Sequence, residues 1–151
     1  MNVIIAGCGR SGSTLARMLA PEHHVTVIDR TSDAFRRLGK NFKGATLVGQ
    51  GTDMDILRRA GAENADVFVA VTDGDNRNIM AAQIAKEVFG VGTVLCRIYD
   101  PSRAAAYQEM GIQTYCTTAI SAGYLRDMAV GSISGTLAAQ FQNYLDEVRS
   151  I

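Results

Sequence analysis

The composition of this 151-residue chain is that of one ordinary soluble domain, with 47% hydrophobic and 20% charged residues. Fifteen basic and fifteen acidic residues cancel, so no excess of positive charge indicates binding to nucleic acid or to an anionic membrane surface. The apolar runs have the length of strands and not of membrane spans, and no basic leader typical of a signal peptide precedes the first strand. Three cysteines, Cys8, Cys96 and Cys116, form no CxxC pair and indicate a reducing, cytoplasmic compartment.

Short apolar runs alternate with amphipathic stretches along most of the chain. Strands are predicted at about 2–6, 25–28, 45–48, 67–71, 94–98 and 113–115, and helices at about 12–19, 32–38, 54–59, 75–89, 101–110, 117–130 and 136–148. Ser32 and Asp53 are predicted N-caps, Asp73 or Asp75 opens the long fourth helix, and Pro101 suits a first helical position. The alternation predicts an α/β fold, a Rossmann-like doubly wound parallel sheet of order 3-2-1-4-5-6 followed by C-terminal helices.

The rhythm changes after the sixth strand, where two helices flank a break at 131–135 and no further strand follows. This tail cannot extend the sheet. Its apolar stripe, which includes Leu137, Phe141 and Tyr144, is expected to pack on the domain, on a second copy or on a C-terminal domain that this chain lacks. We therefore expect a nucleotide-binding domain at 1–130 and a linker with a helix at 131–151.

The first strand is followed without a spacer by Gly7-Cys8-Gly9-Arg10-Ser11-Gly12 and then by a helix. A strand, Gly-x-Gly-x-x-Gly and a helix together form the phosphate-binding start of a dinucleotide fold. Gly7 permits the tight turn, Gly9 lets a pyrophosphate approach the backbone, and Gly12 lets the helix lie close to the sheet. The helix N-terminus then offers free N–H groups and partial positive charge to the anion.

Asp29 ends the second strand, where an acid accepts hydrogen bonds from the hydroxyl groups of an adenosine ribose. A 2′-phosphate there would meet like charge, so the sequence predicts that NADP is disfavoured. Arg30 weakens this exclusion, because an arginine near this point can serve a 2′-phosphate. The alternative role of Asp29 is that of a helix-capping carboxylate.

Two polar loops follow the third and fourth strands. Thr52 and Asp53 could bond the edge of an adenine, although a plain loop with an N-cap explains them equally well. Thr72 and Asp73 lie across the expected crevice from the glycine loop and could contact a ribose or phosphates. Asp73 and Asp75 could also hold a metal ion with a nucleotide, but Asp75 is better explained as a first-turn acid of the next helix.

Two arginines are candidates for contact with phosphate. Arg97 lies among apolar residues near the end of the fifth strand, where it must either pair with an acid at the sheet edge or reach into the crevice. Arg10 lies in the glycine loop, where it either contacts phosphate in bidentate fashion or is solvated.

Residues that would support catalysis are missing from the expected places. No His or Lys follows the fourth to sixth strands as an acid or base for hydride transfer, and no Ser-His-Asp order or metal-ligand spacing of Cys and His is present. The residues therefore favour a nucleotide-binding module that is not an enzyme. The alternative is the cofactor-binding domain of an NAD-dependent dehydrogenase.

The chain from Met1 to about Leu125 resembles the nucleotide-binding domain of the Trk/Ktr potassium-uptake regulators, the RCK N-terminal domains. The resemblance lies in the glycine loop and in Val27-Ile-Asp-Arg, Gly49-Gln-Gly-Thr-Asp, Leu57-Arg-Arg-Ala-Gly-Ala, Ala65-Asp-Val-Phe-Val-Ala-Val-Thr, Asp75-Asn-Arg-Asn-Ile and Cys96-Arg-Ile-Tyr-Asp. No dinucleotide chemistry requires the Leu-Arg-Arg-Ala-Gly block, so it is more specific to the family than the glycines are.

This resemblance implies a cytoplasmic regulator at the inner face of the membrane, in a homo-oligomeric ring of dimers beneath a potassium channel or transporter, with an exchanged helix after the sixth strand. It implies NAD(H) or ATP/ADP as the ligand. The residues that it places on the nucleotide are Gly7 to Gly12, Asp29, Thr52, Asp53, Thr72, Asp73 and Arg97. With an arginine at Arg10, the chain resembles those family members that sense ATP or ADP. Family members usually carry a second, smaller ligand-binding domain after the nucleotide-binding domain, and we do not expect that second domain within residues 1–151.

Overall fold

The computed structural model describes residues 1–132 and 134–150 as a six-stranded parallel sheet with helices on both faces. The strands are β1 (Asn2–Ala6), β2 (His24–Asp29), β3 (Ala45–Val48), β4 (Val67–Ala70), β5 (Thr93–Arg97) and β6 (Gln113–Tyr115). The helices are α1 (Arg10–Leu19), α2 (Met54–Arg59), α3 (Asp75–Gln83), α4 (Pro101–Glu109), α5 (Thr117–Ala129) and α6 (Gly135–Ser150). The strand order β3-β2-β1-β4-β5-β6 confirms the predicted Rossmann-like topology.

Several predicted boundaries were wrong. Helix α1 begins at Arg10 and not at Gly12, because the Ser13 N–H already bonds the Gly9 carbonyl oxygen at 2.9 Å. Segment 32–38 is a 3-10 helix instead of an α-helix, and Ser32 does not cap it: Thr31 precedes it, and no side chain bonds its first N–H groups.

The long fourth helix is divided. Asp75, and not Asp73, is the first residue of α3, and a π-helical turn, Ile84–Val88, continues it to the predicted end. The predicted N-cap Asp53 is confirmed, since its Oδ1 accepts hydrogen bonds from the N–H groups of Asp55 and Ile56. Of the predicted break at 131–135, Ile133 lies outside the described residues.

The central strand β1 is buried on both faces and separates two apolar cores. Val3 and Ile5 point to the α1 side, where they join Val27 of β2. Ile4 and Ala6 point to the opposite side, in a larger core that includes residues of α2, α3 and β4. Burial on both faces explains why the strand sequences are continuously apolar instead of alternating.

The C-terminal helices are the least buried part of the fold. No residue of α5 is buried, and α6 meets α5 through the rings of Tyr124 and Phe141, whose centroids are 5.1 Å apart. Large apolar side chains remain exposed on both helices, including Leu125 (63%) and Tyr144 (62%). Within residues 1–132 and 134–150, no helix combines the length and apolarity needed to cross a membrane.

Phe68→Ala is predicted to destabilise the domain by about 3–5 kcal/mol, because Phe68 is fully buried in the larger core and its loss leaves a cavity. Urea unfolding followed by circular dichroism measures the change. Met80→Ala is the control: Met80 is 53% exposed, and its truncation should change stability by about 0.5 kcal/mol or less. Equal effects of the two substitutions would contradict this assignment of the core.

Candidate functional site

A crevice opens where the strand order reverses, between the carboxyl ends of β1 and β4. These strands are neighbours, but the chain leaves them toward opposite faces of the sheet, so the helices that follow diverge. A cavity of about 240 Å³ lies in this crevice. Its lining includes eight of the predicted site residues: Gly7, Cys8, Gly9, Asp29, Arg30, Thr72, Asp73 and Arg97.

The three loop glycines differ in what surrounds them. Gly7 has φ of +113°, which an L side chain rarely adopts, and a side chain there would also press on the backbone at Val71 and Thr72. A Cβ on Gly12 would overlap the carbonyl oxygen of Gly7. A Cβ on Gly9 would meet nothing within 4 Å. Gly7 and Gly12 therefore bring α1 against the strand, whereas Gly9 leaves the loop surface open.

The N-terminus of α1 presents an unneutralised positive pole to this crevice. No side chain caps the helix, and no acidic residue occupies its first turn. Its first N–H groups and the helix dipole are therefore available to an anion.

The Asp29 carboxylate braces the glycine loop against the end of β2. Its Oδ2 accepts a hydrogen bond from the Cys8 N–H at 2.8 Å, and its Oδ1 accepts from the Thr31 N–H at 3.1 Å and the Thr31 hydroxyl at 3.3 Å. Asp29 thus lines the cavity and also holds the turn that precedes the 3-10 helix. It caps neither α1 nor the 3-10 helix, so the alternative function as a helix-capping carboxylate was wrong.

Arg97 is a buried cation without a carboxylate partner among the described residues. Its side chain reaches into the crevice, where Nη2 donates to the carbonyl oxygens of Val71 at 2.9 Å and Thr72 at 2.8 Å, and Nη1 donates to the Ser11 hydroxyl at 3.3 Å. The guanidinium carbon lies 4.7 Å from the centroid of the Tyr99 ring. Arg97 is 9% exposed, and its buried Nε has no described hydrogen-bond partner. A buried guanidinium without a carboxylate partner favours the binding of an anion beside it.

A smaller cavity adjoins the first one on the β3 side. It is lined by Thr52 with Gly49–Gly51, and by Asp29, Thr72 and Arg77. Thr72 and Asp29 therefore belong to both cavities, and Thr52 belongs to the smaller one. Asp53 lines neither, because its carboxylate caps α2.

The remaining predicted residues lie at the edge of the site. Arg10 is exposed at the start of α1 and lines neither cavity. Asp73 pairs with Arg77, whose hydrogen bond lowers the pKa of the Asp73 carboxyl. Asp75 accepts the N–H groups of Tyr99 and Asp100 at 2.9 and 3.2 Å. Its carboxylate thereby joins α3 to the end of β5.

Three residues of the larger cavity were missed from the sequence: Ala34, Arg37 and Val71. Ala34 and Arg37 come from the 3-10 helix, which the sequence predicts as a helix without indicating that it faces the crevice. Arg30 and Arg37, like Arg97, make no ion pair with any residue in the described ranges. The cavity is therefore bordered by these three arginines, whose charges are not paired. No group of three or more His, Cys, Asp and Glu side chains in those ranges could hold a metal ion.

Comparison with known proteins identifies the family. The family model of the TrkA-N domain matches residues 3–118. The chain belongs to the TrkA-N family. A Trk system potassium uptake protein TrkA from Streptomyces coelicolor is 53% identical over 118 residues, which are 78% of this chain and 53% of that protein. A TrkA homolog from Pyrococcus abyssi is 35% identical over 111 residues, 73% of this chain and 49% of that protein. The chain thus spans about half the length of these relatives.

Solved structures share the fold of this TrkA-N domain. The TrkA-N domain of the Escherichia coli inner membrane protein ybaL superposes with a TM-score of 0.74 at 18% identity, over 84% of this chain and 95% of that one. A Shewanella denitrificans Kef C-terminal domain in AMP-bound form superposes with a TM-score of 0.72 at 23% identity, over 96% of this chain and 91% of that one. The GsuK channel bound to NAD superposes with a TM-score of 0.63 at 18% identity, over 75% of this chain and 21% of that one.

The cysteine of the glycine loop is buried in this TrkA-N domain and is held as a neutral thiol. Burial is the main cause that raises the pKa of Cys8 to about 11, the Asp29 carboxylate adds to the increase, and Arg37 opposes it. Burial likewise raises the pKa of Cys96 to about 12. The pKa of Cys8 in the folded domain lies above its ordinary value of 9.0. The unfolded chain therefore releases this proton at a lower pH than the folded domain, and the free energy of unfolding falls as the pH rises from 9 toward 11.

We predict that Cys8 and Cys96 of the folded domain resist a thiol reagent such as dithiobis(nitrobenzoic acid) at pH 8, because both are buried and protonated there. Cys116 is only partly buried and should react first. Peptide mass spectrometry after timed labelling measures each site, and Cys116→Ser should abolish the fast reaction. Labelling of Cys8 as fast as that of Cys116 would contradict the structure of the loop.

Proposed function

We propose that this domain, residues 1–130, binds an adenine nucleotide in the crevice between β1 and β4 and thereby regulates potassium uptake. The observation that carries the proposal is Arg97, a buried arginine with no described carboxylate partner, directed at Ser11 in the first turn of an uncapped helix. Two independent sources of positive charge converge at the glycine loop. A pyrophosphate would satisfy both.

The adenosine would lie toward β2 and β3. There the Asp29 carboxylate faces the cavity and retains lone pairs that could accept from ribose hydroxyls. Thr52 borders the adjoining space, where an adenine edge would fit. Because a 2′-phosphate would meet the negative charge of Asp29, we propose NAD(H) or ATP/ADP and not NADP.

The nucleotide class is supported by the structural relatives, since the Kef domain is described in an AMP-bound form and the GsuK channel as bound to NAD. Arg10, exposed and without a described ion pair, is available to a terminal phosphate and supports ATP or ADP. We propose binding without chemical conversion of the nucleotide, as befits relatives named as potassium uptake proteins.

The regulated partner would be a membrane-embedded potassium channel or transporter at the cytoplasmic face of the membrane. The named TrkA relatives support this partner. A ligand shifts such a partner only if it binds one arrangement of the regulatory domains more tightly than another.

Contact between copies of the chain would provide such arrangements. A single chain leaves large apolar side chains exposed on α5, at its C-cap and on α6: Ile120, Leu125, Met128, Val130, Phe141, Tyr144 and Val148. We propose that a second copy covers these side chains, in a homo-oligomer built of dimers.

Gly9→Ala is predicted to reduce the affinity for ATP, ADP, NAD and NADH by at least about tenfold while the domain keeps its stability. A methyl group at Gly9 meets no protein atom within 4 Å, so it costs little in folding, but it occupies the surface that phosphate would approach. Asp29→Ala should weaken binding through loss of the ribose contact. Isothermal titration calorimetry measures both.

The matched control is Gly123→Ala, which also meets nothing within 4 Å and lies in α5, outside both cavities. It should leave all four affinities unchanged. Undiminished binding by Gly9→Ala and Asp29→Ala would place the nucleotide elsewhere, and absence of binding by the unmodified domain would overturn the proposed function.

Native mass spectrometry of the unmodified protein should show dimers or larger even-numbered assemblies, together with any copurified nucleotide. Leu125→Glu combined with Met128→Glu should release monomers, because charges would replace apolar groups at the contact. Nucleotide affinity per chain should persist, since neither residue lines the site. A protein that is already monomeric would contradict the proposed oligomer.

A further inference from the structure

Asn78, the fourth residue of the block Asp75-Asn-Arg-Asn-Ile, is a fully buried polar residue of α3. Its amide Nδ2 donates to the carbonyl oxygens of Thr72 at 3.1 Å and Arg97 at 2.9 Å, and its Oδ1 accepts the Thr72 N–H at 2.7 Å. A backbone N–H can only donate and a carbonyl oxygen can only accept. These three backbone partners therefore fix the orientation of the amide without ambiguity.

The same amide decides what the Thr72 hydroxyl can do. Thr72 Oγ1 lies 2.7 Å from Asn78 Oδ1, which is an acceptor, so the hydroxyl must donate its only hydrogen to Asn78. Asn78 and Arg97 also engage the Thr72 N–H and carbonyl oxygen. Toward the crevice, the Thr72 side chain consequently offers lone pairs and no donor.

Thr72 lines both cavities of the crevice and follows β4. If the adenosine lies at Asp29 beside β2 and the pyrophosphate at the N-terminus of α1, then the β4 side receives whatever extends beyond the pyrophosphate. A ribose hydroxyl can donate to Thr72 Oγ1. An ionised phosphate oxygen cannot, because it only accepts hydrogen bonds and would face the lone pairs of the hydroxyl.

We propose that Asn78 is a positioning residue that locks Thr72 as a hydrogen-bond acceptor, and that the site thereby prefers an adenine nucleotide carrying a second ribose beyond the pyrophosphate over one that ends in a phosphate. The proposal rests on the proposed function and specifies its ligand class. Arg10 weighs less in this choice than Thr72, since Arg10 lines neither cavity and Thr72 lines both.

Calorimetric titration with ADP-ribose and ADP tests the proposal, because these two ligands share the adenosine and pyrophosphate and differ by the second ribose. The unmodified domain should bind ADP-ribose about tenfold more tightly than ADP, the effect of one well-formed hydrogen bond. Thr72→Val removes the acceptor at nearly constant volume. It should abolish the preference for ADP-ribose, so that the ratio of the ADP-ribose affinity to the ADP affinity falls to about one.

Thr72→Val should fold, since Asn78 Oδ1 keeps the Thr72 N–H as a donor. Asn78→Ala releases the Thr72 hydroxyl to donate, and should lower the ratio of ADP-ribose to ADP affinity. A merely structural function for Asn78 would lower both affinities together and leave the ratio unchanged. Thr114→Val is the matched control: the Thr114 hydroxyl also donates to an internal acceptor, the Ala104 carbonyl oxygen, but Thr114 lies outside both cavities.

The outcomes separate this inference from the proposed function. A loss of the ADP-ribose preference in Thr72→Val, with the control unchanged, supports the inference. Equal affinities of the unmodified domain for ADP and ADP-ribose, tighter binding of ADP, or a preference that survives Thr72→Val would overturn it and leave nucleotide binding itself standing. If neither ligand binds the unmodified domain, the proposed function fails with it.

Discussion

The close approach of α1 to the end of β1 is the constraint on which the site depends. Side chains at Gly7 or Gly12 would press on the neighbouring backbone, and their absence lets the first turn of the helix lie directly over the strand end. The uncapped N–H groups of the helix then face the crevice between β1 and β4. The same short distance brings Ser11 within reach of Arg97, which comes from a strand 86 residues later.

Arg97 and Asn78 turn this crevice into a site with defined polarity. Arg97 brings positive charge into a buried position, and the carbonyl oxygens of Val71 and Thr72 hold it there without neutralising it. Asn78 pairs with the N–H, the hydroxyl and the carbonyl oxygen of Thr72 after β4, so the direction of each of these hydrogen bonds is determined. The charge thus favours an anion, while the fixed hydroxyl of Thr72 distinguishes donors from acceptors.

Much of the fold could be predicted because its signals are local. Apolar runs of strand length, the glycine turn, the Asp53 cap and Pro101 each depend on a few neighbouring residues, and right-handed crossovers then fix the strand order. The wrong boundaries occur where the chemistry of a single residue does not decide the local conformation. Ser32 has the right chemistry for a cap, yet Thr31 precedes the segment, no side chain bonds its first N–H groups, and the segment is a 3-10 helix. The π-helical turn after Gln83 carries no local signal.

For the site, spacing along the chain and strand topology suffice to predict the glycine loop, the acid at the end of β2 and the crevice at the reversal of strand order. The folded structure was needed to show that the Asp53 carboxylate caps α2, that Arg37 borders the cavity, and that Arg97 bonds carbonyl oxygens and not a described acid. It alone also showed Asn78 fixing the hydroxyl of Thr72. Such assignments depend on which donors and acceptors meet across strands, and no residue spacing along the chain encodes that.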